Sequence, residues 1–130
     1  MNEILVIMDS RKNISSATDL FKRIKKIKNI DYKQESFLIF YLDTKNNIIK
    51  YDVLFKGGLN SCIVDIKTIF RNALKNNANS IITAHNHPSG HLEPSFEDIE
   101  INNKIKEAGD VITIKVLDSI VFNKNSFKRY

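Results

Sequence analysis

The chain has 130 residues, of which 42% are hydrophobic and 27% are charged, values typical of one soluble globular domain with a single core. No apolar run is long enough to span a bilayer, and residues 1–8 predict a strand, since they carry an acidic residue where an export signal would be basic. The single cysteine, Cys62, excludes an intramolecular disulfide and predicts a reducing, cytoplasmic location.

The charge balance is basic. Lys and Arg number 20 and Asp and Glu number 15, which gives a net charge of +5. Such a balance is found in nucleic-acid-binding proteins, but a chain rich in Lys, Asn and Ile together can also acquire it from a compositional bias. The densest basic stretch, residues 22–28, has the pattern of a solvated helix face. The basic charge therefore has two interpretations. It can indicate nucleic-acid binding, which is the alternative function, or it can reflect only a helix whose basic face is exposed to solvent.

The first half of the chain predicts a helix followed by a hairpin. Ser16 and Asp19 form a capping-box pattern that opens the helix. Residues 36–42 are apolar on both faces, which is typical of a buried central strand. Turn-forming residues at 43–47 separate it from a second strand over 48–55, its expected antiparallel partner.

The second half of the chain alternates between helical and strand patterns. In order, we predict a helix capped by Asp65, a strand over 80–85, a loop through Pro94, a helix from about Ser95 to Ala108 ended by Gly109, and a strand over 111–117 that continues into or pairs with 119–122. This mixture predicts an α/β architecture, with a mixed β-sheet packed by helices and residues 1–130 forming one domain.

A metal-ligand pattern lies at the end of the predicted strand over 80–85. His85 and His87 are two positions apart, so their side chains leave a strand on the same face and can reach one ion. Asn86 faces the other way. Pro88 and Gly90 then turn the chain, and the next helix can bring Asp98 back to the same place. Two histidines and one carboxylate leave a fourth zinc position open for water, which is the catalytic type of site.

A hydrolytic zinc site also needs a carboxylate that accepts a proton from the water, whose pKa the metal lowers to about 7. Glu35 is the candidate if the strand over 36–42 neighbours the strand over 80–85. A purely structural interpretation remains open at this point. The spacing of Ser95 and Asp98 is also that of a capping box, and a pair of strand histidines by itself is a weak signal.

The same residues resemble a known family. The run of His85, one residue, His87, seven residues, Ser95, two residues and Asp98 reproduces the JAMM motif of JAB/MPN metalloproteases. The sequence His-Asn-His-Pro-Ser-Gly, followed by Pro-Ser-Phe-Glu-Asp, resembles that of the RadC-like branch of the family. The resemblance extends from about residue 12 to residue 127 and includes the strand that follows Glu35.

The resemblance implies a fold, a cofactor and a set of roles. The fold is the JAB/MPN α/β fold, similar to that of cytidine deaminases. His85, His87 and Asp98 correspond to the Zn²⁺ ligands, Glu35 to the general acid/base, and Ser95 to the serine that hydrogen-bonds the oxyanion or the bound water. The implied activity is zinc-dependent hydrolysis of an amide or isopeptide bond in a peptide or protein substrate.

Two departures from the RadC-like pattern are visible. From its length of 130 residues we expect the chain to lack the N-terminal helix-hairpin-helix region, and this expectation weakens the family's traditional association with DNA repair. Ser119 also stands where the family usually has a histidine after Leu-Asp. The alternative to the hydrolase is therefore a DNA-repair-associated protein that binds nucleic acid or a DNA-processing partner, and a non-catalytic interaction domain ranks third because the metal motif is intact.

Overall fold

The computed structural model describes residues 13–56 and 64–130. The strand predicted for residues 1–8 and the side chain of Cys62 lie outside the described residues. The elements, in chain order, are α1 (Ala17–Ile24), β1 (Ser36–Leu42), β2 (Ile48–Lys56), α2 (Ile66–Lys75), β3 (Ser80–Asn86), α3 (Phe96–Ile112), β4 (Lys115–Phe122) and β5 (Phe127–Arg129).

The strands form one mixed sheet in the order β2-β1-β3-β4-β5. The β1–β2 hairpin is antiparallel, as predicted, and β1 also pairs antiparallel with β3. β3 and β4 are parallel and are connected by α3, whereas β4 and β5 are antiparallel. The predicted α/β class with a mixed sheet is therefore confirmed.

Both faces of the sheet are covered, because β1 and β3 bury every one of their residues. One face packs against α1 through a core that includes Leu20, Phe21, Ile24, Leu38, Phe40, Ile82 and Phe122. The other face packs against α2 and α3 through a core that includes Ile39, Tyr41, Ile69, Phe70, Ile81 and Ile105. Each fully buried aliphatic or aromatic side chain of this kind contributes about 1.5–3 kcal/mol to folding.

The predicted helix starts are confirmed by side-chain caps. The hydroxyl of Ser16 accepts a hydrogen bond from the Asp19 N–H at 3.2 Å, and the Asp65 carboxylate accepts one from the Lys67 N–H at 3.0 Å. These bonds satisfy N–H groups that have no partner inside the helix. The reciprocal bond at α1 differs from a full capping box, because the Asp19 carboxylate accepts from the Ser15 N–H.

The predicted end of the third helix is wrong. α3 does not stop at Gly109 but runs to Ile112, and its C-cap is Thr113 in the left-handed conformation with φ 69°. Residues 111–112, predicted to start a strand, are therefore helical, and β4 begins at Lys115 and continues through 119–122.

A glycine is required at position 109 because the backbone of Ile114 approaches it closely, and not because the chain is left-handed there. The Ile114 N–H donates a hydrogen bond to the Gly109 carbonyl at 2.9 Å as the chain turns back after α3. A Cβ atom on residue 109 would lie 2.4 Å from the Ile114 carbonyl oxygen. The glycine therefore marks the contact between the helix and the chain that follows it.

Gly109→Ala is expected to lower the free energy of unfolding by about 1–3 kcal/mol, because the clash is with backbone and exceeds the gain in helix propensity. Urea denaturation followed by circular dichroism measures the change. Asn103→Ala is the matched control, since Asn103 is exposed on the same helix and alanine should leave stability unchanged or slightly higher. Equal stability of the Gly109→Ala variant and the wild type would contradict the proposed close approach.

The basic stretch over 22–28 is exposed only in part. Lys22, Lys25, Lys26 and Lys28 are exposed, but Arg23 is 5% exposed and its Nε atom lies 3.7 Å from Asp19. Among the helices of residues 13–56 and 64–130, none combines the length and apolar character that a membrane-spanning segment requires.

Candidate metal centre

The end of β3 positions two imidazoles side by side. His85 is 1% exposed and faces the side of the sheet that α2 and α3 cover, by the alternation of side chains along the strand. His87 follows the last residue of β3, and its ring lies edge-to-face on the His85 ring with the centroids 5.0 Å apart. The strand end therefore brings both histidines to one point, as the sequence predicted.

Asp98 reaches the two histidines from the first turn of α3. The Ser95 hydroxyl accepts a hydrogen bond from the Asp98 N–H at 3.0 Å, and the Ser95 N–H donates to Asp98 Oδ2 at 2.8 Å. This capping box fixes the carboxylate with Oδ2 3.0 Å from His87 Nε2 and 3.1 Å from His85 Nε2. Asp98 can therefore cap α3 and also bind a metal. The same oxygen, Oδ2, accepts the hydrogen bond from the Ser95 N–H and lies beside both histidine nitrogens.

Glu35 joins this group through the sheet. Phe37 pairs with His85 in the antiparallel ladder of β1 and β3, so residue 35, two positions earlier, lies next to residue 87. The potential ligand atoms of Glu35, His85, His87 and Asp98 all lie within 4.8 Å of one another. The condition stated for Glu35, that these two strands are neighbours, is met, and their pairing brings together four side chains that are up to 63 positions apart in sequence.

Asn86 holds the chain on either side of Glu35. Its side-chain oxygen accepts a hydrogen bond from the Ser36 N–H at 2.9 Å, and its side-chain NH₂ donates to the Gln34 carbonyl at 2.8 Å. Asn86 is 1% exposed, so these bonds are shielded from water. The residue between the two histidines faces away from them, as predicted, and fixes the backbone that carries Glu35.

Hydrogen bonding at His87 directs a nitrogen lone pair toward Asp98. Its Nδ1 atom lies 2.9 Å from the His91 carbonyl oxygen, which can only accept, so Nδ1 carries the proton. In a neutral ring Nε2 is then an acceptor, and it lies 3.0 Å from a carboxylate oxygen. Two acceptors at that distance require a proton or a metal cation between them.

His85 supplies a second nitrogen that suits a metal. Its Nε2 is buried and, among the residues that the structure describes, has no hydrogen-bond partner, although it lies 3.1 Å from Asp98 Oδ2, because the direction is unfavourable for a hydrogen bond. Two imidazole nitrogens and one carboxylate oxygen converging in this way form a donor set that zinc accepts, with a further coordination position open. The residues present therefore fit a zinc ion.

The contact between His87 and Asp98 changes both pKa values. The hydrogen bond to Asp98 raises the pKa of His87, against the opposing effect of burial, and the charge of Glu35 adds to the rise. Burial would raise the pKa of Asp98, but the neighbouring His85 and His87 outweigh it and hold that pKa well below its usual range. Asp98 is therefore a carboxylate at any pH near neutrality.

Zinc affinity is expected to fall as pH decreases, beginning above the ordinary histidine pKa of about 6.5. The raised pKa of His87 means that protons compete with the metal at a higher pH than at an ordinary histidine, and protonated imidazole cannot bind metal. Competition titrations with a chromophoric chelator between about pH 8 and about pH 6 measure this. An affinity that stays constant over this range, after correction for the chelator's own protonation, would contradict the prediction.

The sequence matches the RadC-like JAB domain family over residues 13–129. The chain belongs to this family. The resemblance seen in the sequence is thereby confirmed, and the α/β architecture is consistent with a JAB/MPN domain.

Curated relatives of this RadC-like JAB domain include UPF0758 proteins. A UPF0758 protein of Clostridium perfringens is 46% identical over 95 residues, which are 73% of this chain and 42% of the relative. One from Methanococcoides burtonii is 39% identical over 119 residues, 92% of this chain and 52% of the relative. The chain thus spans about half the length of the relatives it matches, and their names specify neither an activity nor a substrate.

Ser95 and Ser119 are placed differently in this JAB domain. The Ser95 hydroxyl caps α3 beside the candidate metal ligands, so the structure brings it to the candidate site. Ser119, which stands where the family usually has a histidine, is buried, and its hydroxyl donates to the Asn102 side-chain oxygen at 2.7 Å, one helical turn beyond Asp98. In this chain the position is thus used for a contact between β4 and α3.

Two contributions to the site were missed by the sequence reasoning. The His91 carbonyl orients His87, and a contribution from the backbone is not indicated by any residue type in the sequence. The Tyr130 hydroxyl lies 3.3 Å from His85 Nδ1, and burial together with the charge of Asp98 raises the pKa of this phenol, so it stays protonated. Tyr130 is 45 positions from His85, and no local motif connects the two residues.

Proposed function

We propose that this domain is a zinc-dependent hydrolase that cleaves an amide or isopeptide bond in a peptide or protein substrate. The convergence of two imidazole nitrogens and a carboxylate oxygen, with a second carboxylate within 4.8 Å, carries the proposal. His85, His87 and Asp98 would hold the zinc. When bound, zinc polarises the substrate carbonyl and makes water nucleophilic at neutral pH.

The proton transfers fall to Glu35. Its carboxylate is half-buried beside the three ligands, and Asn86 fixes the backbone on both sides of it. Glu35 would accept a proton from the attacking water and then donate it to the nitrogen of the departing amine. An amine leaves poorly without that proton, so one carboxylate serves as base and then as acid.

Ser95 would stabilise the negative charge that develops on the substrate carbonyl oxygen. Its hydroxyl oxygen accepts from the Asp98 N–H, and a hydroxyl also has a proton to donate. The N-terminus of α3 places further positive potential at this point. A donor aimed at developing charge contributes a few kcal/mol to lowering a barrier.

An open groove beside the ligands provides room for a polypeptide. It has a volume of about 770 Å³ and is lined by the loop after β3 and the start of α3, including His87, His91, Leu92 and Ser95, with Asn123 also in the wall. A substrate lying in this groove would pass directly over the side of His87. We place the activity in a single domain of the reducing cytoplasm, in line with the single Cys62.

The proposal is tested by metal analysis together with an amide hydrolysis assay. Purified protein should contain about one zinc per chain, and it should release amine from a panel of fluorogenic peptides and isopeptide-linked conjugates. Chelation should stop the release and added zinc should restore it. His85→Ala is the control for contaminating proteases. A wild-type protein that takes up no zinc after the metal is supplied would refute the proposal.

The second candidate is a protein that binds nucleic acid or a DNA-processing partner. Its support is the net charge of +5 and the exposed lysines of the basic stretch over 22–28. We rank it lower because Arg23, at the centre of that stretch, is buried beside Asp19 and does not add to an exposed basic face. Tight DNA binding at physiological salt that weakens steeply with added salt would favour it.

A further inference from the structure

The last strand places Tyr130 beside His85, on the Nδ1 side of the imidazole ring. β5 pairs with β4, and the Tyr130 N–H extends this pairing by donating to the Ser119 carbonyl at 3.0 Å. The preceding residue, Arg129, is held by an ion pair between its Nε and Asp118 Oδ2 at 2.9 Å. Backbone and side-chain contacts therefore both fix where the Tyr130 side chain lies.

Aromatic neighbours hold the His85 ring on several sides. The Phe37 ring stacks on it with an interplanar angle of 14° and centroids 5.9 Å apart. The Tyr130 ring meets it edge-on at 89° and 5.8 Å, and the His87 ring approaches at 65° and 5.0 Å. These contacts limit the tilt of the imidazole, but they do not determine which of its nitrogens carries the proton.

The Tyr130 hydroxyl lies 3.3 Å from His85 Nδ1, on the opposite side of the ring from the candidate metal position. If Nδ1 carries the proton and donates it to the Tyr130 oxygen, Nε2 presents a lone pair beside Asp98 Oδ2. If the phenol were the donor, a neutral His85 would carry its proton on Nε2 and could not bind a metal. His87 has the equivalent Nδ1 contact to the His91 carbonyl.

We propose that Tyr130 is a positioning residue for the metal site, whose hydroxyl accepts a hydrogen bond from His85 Nδ1 and so keeps Nε2 free and aimed at the metal. The inference rests on the proposed zinc site. Such outer partners fix the tautomer and the orientation of a histidine ligand and make it a better donor to the metal. Tyr130 would do for His85 what the His91 carbonyl does for His87.

Tyr130→Phe tests the role of the hydroxyl while keeping the ring. We expect zinc affinity, measured by chelator competition, to fall about 10-fold, in the range found when outer partners of a ligand are removed. Tyr32→Phe is the matched control. The Tyr32 ring packs edge-on against Phe122 in the core on the other face of the sheet, so losing its hydroxyl should leave zinc affinity unchanged.

Nuclear magnetic resonance of the zinc-loaded protein provides a measurement that would stay the same in Tyr130→Phe if Tyr130 acted only through the packing of its ring. A ring N–H held in a hydrogen bond exchanges slowly with water, so the wild type should show a protected His85 Nδ1–H proton that Tyr130→Phe loses. Equal zinc affinity of wild type and Tyr130→Phe, or loss of affinity only in Tyr130→Ala, would overturn the hydrogen-bond role. Failure of the wild type to bind zinc would instead overturn the proposed function, and this inference with it.

Discussion

Asp98→Asn is expected to lower zinc affinity by more than about 100-fold, beyond the loss that removing an outer partner causes. Asp98 Oδ2 lies 3.1 Å from His85 Nε2 and 3.0 Å from His87 Nε2. An amide has nearly the same shape but lacks the negative charge that offsets the charge of the metal, and zinc in proteins binds carboxylate, imidazole and thiolate ligands. Metal content after dialysis and chelator competition measure the loss.

The helix start should survive this substitution, which separates metal binding from folding. An asparagine oxygen can still accept the hydrogen bond from the Ser95 N–H, so α3 keeps its cap. Glu97→Gln removes the same charge from an exposed residue of the same helical turn and should retain full zinc affinity. If Asp98→Asn also retained about one zinc per chain, Asp98 would be a helix cap and not a ligand.

Glu35→Gln is expected to lower the rate of amide hydrolysis by about 10²- to 10⁴-fold while the protein still takes up zinc. The amide is close in size to the carboxylate, and the bonds of Asn86 to the backbone at residues 34 and 36 do not involve the side chain of residue 35. The variant should thus keep its structure and lose its ability to accept a proton. The measurement is kcat on the peptide or isopeptide substrate, alongside metal content.

The metal content of the Glu35 variant distinguishes two roles for this carboxylate. Because Glu35 lies within 4.8 Å of the other three ligand atoms, it is close enough to bind the metal itself. Loss of zinc together with loss of activity would make Glu35 a ligand, and unchanged activity would exclude it as the proton carrier. Glu97→Gln again controls for the change in charge.

The candidate metal ligands could be predicted from sequence because their spacing is local. His85 and His87 depend on the two-residue repeat of a strand, and Asp98 depends on the capping box that starts α3. Each of these rules concerns residues within a few positions of one another. The motif resemblance added the roles that these rules cannot assign, and those roles remain predictions until they are measured.

Sequence reasoning failed at the end of α3 for a related reason. A glycine after an apolar helical pattern usually indicates a left-handed C-cap, but Gly109 lies inside the helix and Thr113 takes that conformation. The need for glycine comes from the Ile114 carbonyl, which approaches too closely for a Cβ atom. A local propensity rule contains no information about a contact made by the chain after it has turned back.

By itself, the sequence determined the order and type of the elements between Ser16 and Phe122 and the mixed sheet, because short-range periodicity, turn residues and capping specify these features. Together with the motif resemblance, it also indicated the candidate ligand triad of His85, His87 and Asp98. Only the tertiary structure decided that Glu35 joins the triad, that Asn86 fixes its backbone, and that Tyr130 lies against His85. Those contacts join strands whose adjacency depends on how the whole sheet buries its two faces, and no local pattern encodes that pairing.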